Sequence, residues 1–75
     1  MYVGFILLNC DLGAEEYVVE ELKHMHNIKN AYLTYGAYDV IAEVNTEDQT
    51  TFEKAVAEIR KLSRVVSTMT LNVIN

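Results

Sequence analysis

Apolar residues fill nearly every position from Tyr2 to Asn9, with β-branched and aromatic members, over a stretch too short for a typical helix. That is the pattern of a strand buried on both faces. Cys10-Asp11-Leu12-Gly13 breaks it, with Asp11 placed as an N-cap and Glu15 and Glu16 in the first turn of a following helix, where the dipole favours anions. Along that helix Ala14, Val18, Leu22 and Met25 recur at three- and four-residue spacing with Tyr17 beside them, while Glu16, Glu20 and Lys23 point outward. Lys23, His24 and His26 close its C-terminal turn.

Asn27 to Asn30 is polar apart from Ile28, and the alternation from Ala31 to Tyr35 predicts a second strand. Gly36-Ala37 turns the chain. Val40, Ala42 and Val44 alternate with Asp39, Ile41, Glu43 and Asn45, so the third strand faces a core with its first set and forms a hairpin with the second strand. Thr46 with Gln49, and Thr50 with Glu53, each have capping-box spacing, which starts a second helix between Thr46 and Thr50. Its apolar face is Phe52, Ala55, Val56, Ile59 and Leu62. A fourth strand runs from Val65 to Ile74.

The order β-α-β-β-α-β predicts an α+β, ferredoxin-like fold, one four-stranded antiparallel sheet with both helices on one face. Right-handed crossovers put the first and third strands in the middle. Two helices cover only one side of the sheet. The uncovered side is expected to carry Tyr32, Thr34, Ile41, Thr68, Thr70, Asn72 and alternate residues of the first strand, and to be a dimer surface.

Size makes oligomerisation the default expectation as well. Residues 1–75 suffice for a single domain. A chain this short buries only about 60% of its unfolded surface, and one core of this size rarely supplies more than roughly 3–5 kcal/mol without a staple, a metal or a partner. The single cysteine excludes an internal disulfide. Eleven acids against six bases, net −5, argue against direct nucleic-acid binding. With no leader pattern and no apolar run long enough for a membrane span, a cytoplasmic location is expected.

Catalytic chemistry finds little support. Cys10 follows a buried strand and precedes an acid, and neither neighbour lowers a thiol pKa. His24 and His26, two apart on a helix, point to different sides and do not make a metal pair. The carboxylates Glu15-Glu16 and Glu20-Glu21 fall mostly on a solvated face, and the glycines are too isolated for a phosphate loop. No catalytic residue, metal or cofactor is therefore expected. What remains is Tyr35-Gly36-Ala37-Tyr38-Asp39, a turn with two rings and a carboxylate, together with the hydroxyls of Thr68 and Thr70. A carboxylate can pair an α-ammonium while hydroxyls and backbone N–H groups hold a carboxylate, the recognition pattern of a zwitterion. Because the third and fourth strands are not neighbours, one pocket using both forms most easily between subunits.

Along the whole chain the sequence resembles the effector-sensing (RAM, regulation of amino acid metabolism) domain of the Lrp/AsnC regulator family. Gly4-Phe5-Ile6-Leu7-Leu8 resembles the family's first strand and Ile28-Lys29-Asn30-Ala31-Tyr32 the opening of its second. Tyr35-Gly36-Ala37-Tyr38-Asp39-Val40 is similar to its G-x-[YF]-D turn, and Leu62-Ser63-Arg64-Val65-Val66-Ser67-Thr68-Met69-Thr70 to its closing segment. Ser63-Arg64 stands where the family usually has Pro-Gly.

The resemblance implies a homodimer whose sheets pack face to face, dimers assembling into octamers or similar rings, and an amino-acid effector bound between subunits. It implies Gly36, Tyr38 and Asp39 as ligand-binding residues, with Tyr35 and Ala37 as neighbours in the same turn, and Thr68 and Thr70 from the end of the domain. With no helix-turn-helix in the sequence, it also implies a stand-alone sensor that modulates a full-length Lrp/AsnC-type regulator. The rival readings are a purely structural self-assembly domain and a small enzyme on a dimeric α+β barrel.

Overall fold

The computed structural model describes residues 1–74. Its elements are β1 (Tyr2–Cys10), α1 (Glu15–Lys23), β2 (Ile28–Leu33), β3 (Val40–Thr46), α2 (Gln49–Arg60) and β4 (Val65–Asn72). All four strands pair antiparallel in the order β2-β3-β1-β4, so the first and third strands are central, as the crossover rule requires.

Both helices lie on one face and bury Val18, Val19 and Leu22 of α1 and Phe52, Ala55, Val56 and Ile59 of α2 against the sheet. From the sheet, Ile6 and Leu8 of β1 and Val40, Ala42 and Val44 of β3 complete this core with no solvent exposure. β1 is therefore not buried evenly. Gly4, Ile6, Leu8 and Cys10 are covered, whereas Val3, Phe5, Leu7 and Asn9 on the other side are only half-buried.

Directly opposed residues of an antiparallel pair share a face, which fixes how β4 sits. Thr68, Thr70 and Asn72 lie opposite Leu8, Ile6 and Gly4, so they face the helices and not the uncovered side. The expected assignment of β4 is thus inverted. The uncovered face carries Ser67, Met69 and Leu71, beside Val3, Phe5 and Leu7 of β1, Ile41 of β3 and Tyr32 of β2. Tyr32, Met69 and Leu71 are each about half exposed, at 52%, 48% and 49%, which makes this side a broad apolar surface.

The helix starts also differ from expectation. Asp11 does not cap α1, whose N-cap position is Ala14 without a side-chain bond. The Asp11 carboxylate instead meets Arg64 Nε at 3.2 Å, and its N–H donates to the Arg64 carbonyl at 2.8 Å. For α2 the cap is Asp48, whose Oδ1 accepts from the Thr51 N–H at 2.8 Å; neither threonine box forms. Thr46 turns inward, its hydroxyl donating toward the carbonyls of Tyr2 (3.2 Å) and Asp48 (2.9 Å). β2 begins at Ile28, earlier than the alternation suggested, because Ile28 packs on the core opposite Val44 while an irregularity between Ile28 and Asn30 resets the pairing.

Candidate functional site

The segment between β2 and β3 is closed by Thr34, whose N–H donates to the Asp39 carbonyl (2.9 Å) and whose hydroxyl donates to the Tyr38 carbonyl (2.8 Å). Gly36 has φ 114°, a backbone conformation that favours a residue without a Cβ. This turn stands at the C-terminal end of β1, next to the start of α1. Between the two lies an open cleft of about 560 Å³, lined by Gly13, Glu15, Glu16, Leu33, Thr34, Tyr35, Gly36 and Asp39.

Three of the expected residues, Tyr35, Gly36 and Asp39, thus line one cleft. Ala37 and Tyr38 belong to the same turn but not to its lining. Tyr38 reaches across the uncovered sheet face, its hydroxyl donating to Met69 Sδ at 3.5 Å. Thr68 and Thr70 stand apart, on the helix side of β4. Thr68 Oγ1 accepts from Arg60 Nε at 3.2 Å, and Thr70 Oγ1 is buried without a partner among the described residues. Thr70 lines a second, smaller cleft of about 260 Å³ between α2 and β4, with Arg60 and Asn72. Neither cleft in one subunit brings Asp39 and the threonines together.

Glu15, Glu16 and Gly13 are cleft residues that sequence reasoning passed over. Helical periodicity put the two glutamates on a solvated face, and that face is here one wall of the cleft. The charge of the cleft is uniformly negative, since its ionisable lining carboxylates are Glu15, Glu16 and Asp39 and no lysine or arginine joins them. Cys10, Glu15 and Asp39 bring candidate ligand atoms within 4.8 Å of one another. Burial first, and then the charges of Asp39 and Glu15, push the Cys10 thiol above its ordinary pKa.

Residues 3–75 match the Lrp/AsnC ligand binding domain. The chain belongs to that family. No match is found among curated protein sequences. Among solved structures, this Lrp/AsnC domain is similar to the hypothetical protein PHS023 from Pyrococcus horikoshii, with 36% identity over 100% of this chain and 92% of that one and a TM-score of 0.93. It is similar also to FFRP-DM1, with 36% identity over 99% of this chain and 100% of that one and a TM-score of 0.94. A transcriptional regulator of Neisseria meningitidis, solved as its L-Met complex, shares the fold at 14% identity, over 99% of this chain and 50% of that one, with a TM-score of 0.87. The chain thus spans nearly all of the first two solved chains and about half the length of the third. Among the described residues, no helix is long and apolar enough to cross a membrane.

Proposed function

We propose that this chain is a non-enzymatic amino-acid sensor that works as an oligomer, binding its effector at the cleft beside the turn Tyr35-Gly36-Ala37-Tyr38-Asp39. The observation that carries this reading is that the family's signature turn forms one wall of an open cleft whose other wall is the start of α1. The negative charge of the lining draws an α-ammonium group, and Glu15 and Glu16 are the carboxylates placed to meet it. The first turn of α1, which has no side-chain cap, leaves backbone N–H groups suited to a carboxylate. The L-Met complex of the Neisseria regulator supports an amino acid as the ligand class. Thr68 and Thr70 lie outside this cleft in one subunit, and in this reading they belong to the site only where another subunit brings them to it.

The uncovered face, with Phe5, Leu7, Ile41 and Met69, packs on the same face of a second copy, and dimers assemble further around the clefts. Its partners are copies of itself and full-length Lrp/AsnC-type regulators. A ligand that contacts one assembly state better than another shifts the population by that difference in affinity. The test is a thermal-shift screen across the twenty amino acids, paired with solution mass by light scattering. An amino acid at 100 times its Kd raises stability by about 2.7 kcal/mol. An oligomer that none of the twenty stabilises would leave a self-assembly domain without a ligand.

A further inference from the structure

We infer that Asp39 is a positioning residue of this site: its carboxylate holds the turn against the end of β1 and is not the group that meets the ligand's charge. This rests on the reading of the cleft as the ligand site. The paired register of β1 and β3 ends at Leu8 and Val40. Beyond that pair the Asp39 N–H still donates to the Leu8 carbonyl at 2.9 Å, and then the chain leaves for the turn. Residues two apart on a strand direct their N–H groups to the same edge. The next donor of β1 on this edge is therefore Cys10 N–H, which has no strand carbonyl left to meet.

Asp39 Oδ2 accepts from that N–H at 3.0 Å, and the Cys10 thiol approaches the same oxygen at 3.8 Å. A side chain thus continues the ladder by one step. The backbone of Asp39 is equally committed, its carbonyl accepting from the Thr34 N–H at 2.9 Å. Three bonds from one residue tie β1, the end of β2 and the turn together. The side chains of Glu15 and Glu16, in contrast, line the same cleft and make no hydrogen bond or ion pair among the described residues. They are the carboxylates free to face an incoming ammonium group.

The acceptor and the charge can be separated experimentally. Asn keeps a side-chain carbonyl for the Cys10 N–H and lacks the charge; Ala lacks both. Residue-resolved hydrogen exchange on the ligand-free protein should show the Cys10 and Thr34 amides protected in the wild type and in Asp39→Asn. In Asp39→Ala both should exchange at least about tenfold faster, with the Ile6 amide in the centre of β1 unchanged. Unaltered Cys10 exchange in Asp39→Ala would overturn the assignment.

Binding provides the second readout, using whichever of the twenty amino acids gives the largest thermal shift. Asp39→Asn should recover most of the affinity that Asp39→Ala loses, a loss of roughly tenfold or more for a charge-assisted hydrogen bond. Equal losses in the two variants would mean that the charge itself is read by the ligand, and would overturn the inference. If no amino acid shifts the wild type, the sensor reading fails, while the exchange experiment still decides whether Asp39 holds the turn.

Discussion

Phe52 rests on Gly4, and the ring fills the space a side chain would occupy. A methyl group on Gly4 would stand 2.7 Å from Cε1 of Phe52 and 2.8 Å from the carbonyl oxygen of Leu71. The ring has little freedom to retreat, being fully buried and tilted against Tyr2 with centroids 5.0 Å apart. Gly4→Ala should therefore destabilise the fold by about 1–3 kcal/mol, the usual cost of overpacking. Urea unfolding measures it, and an unchanged midpoint would show that Phe52 and β4 yield without strain.

Asp48, not a threonine, begins α2. The backbone N–H of Thr51 holds the Asp48 carboxyl below the ordinary carboxylate pKa. A carboxyl with a lowered folded pKa stabilises above its unfolded value, about 3.9 for Asp, and that contribution disappears as pH falls through the folded value. Asp48→Ala should lower the melting temperature at pH 7, and its deficit against wild type should shrink toward acid pH. Thr50→Ala should leave the melting temperature unchanged. A larger loss in Thr50→Ala than in Asp48→Ala would restore the threonine cap.

The Cys10 thiol, raised by burial and by the negative charges around it, should alkylate slowly. At neutral pH iodoacetamide should react at least about tenfold more slowly with the folded protein than with the chain in urea. The sign of the linkage follows from a raised pKa. The protonated thiol favours the folded state fully below the unfolded value, and this advantage is lost as pH rises through the folded one. Melting temperature should accordingly fall on the alkaline side, and Cys10→Ser, which does not titrate there, should flatten that limb.

The uncovered sheet face offers a direct test of assembly. Leu7 stands between Ile41 and Met69, its partners on either side. Leu7→Glu places a carboxylate in the middle of an apolar surface that two copies would press together. Light scattering should report an oligomer for the wild type and a monomer for the variant, with an unchanged far-ultraviolet circular dichroism spectrum. A wild-type protein that is monomeric at micromolar concentration would remove the face-to-face dimer.

The order of elements was legible because the two periodicities are clean. Val40, Ala42 and Val44 alternate into the core, and Phe52, Ala55, Val56 and Ile59 follow the helical repeat. Alternation, however, gives only the parity of a strand. Which set of β4 faces the helices depends on its register with β1, and that is a long-range fact. Here the apolar set Met69 and Leu71 looks outward while Thr68 and Thr70 look in, the reverse of an isolated sheet's preference. Caps were missed for a related reason, since Thr46, Asp48 and Thr50 are all competent and the winner is set by where β3 releases the chain. In the site, the turn could be read locally. Its opposite wall, Glu15 and Glu16, could not, because only the packing of α1 against β2 brings it there.

Tyr38 and Asp39 are consecutive, yet one side chain lies on the uncovered sheet face against Met69 and the other is bonded into the cleft at Cys10. The turn therefore joins the uncovered sheet face and the cleft through two adjacent residues. A displacement of the segment at the cleft would thus be passed, within one residue, to the apolar sheet face.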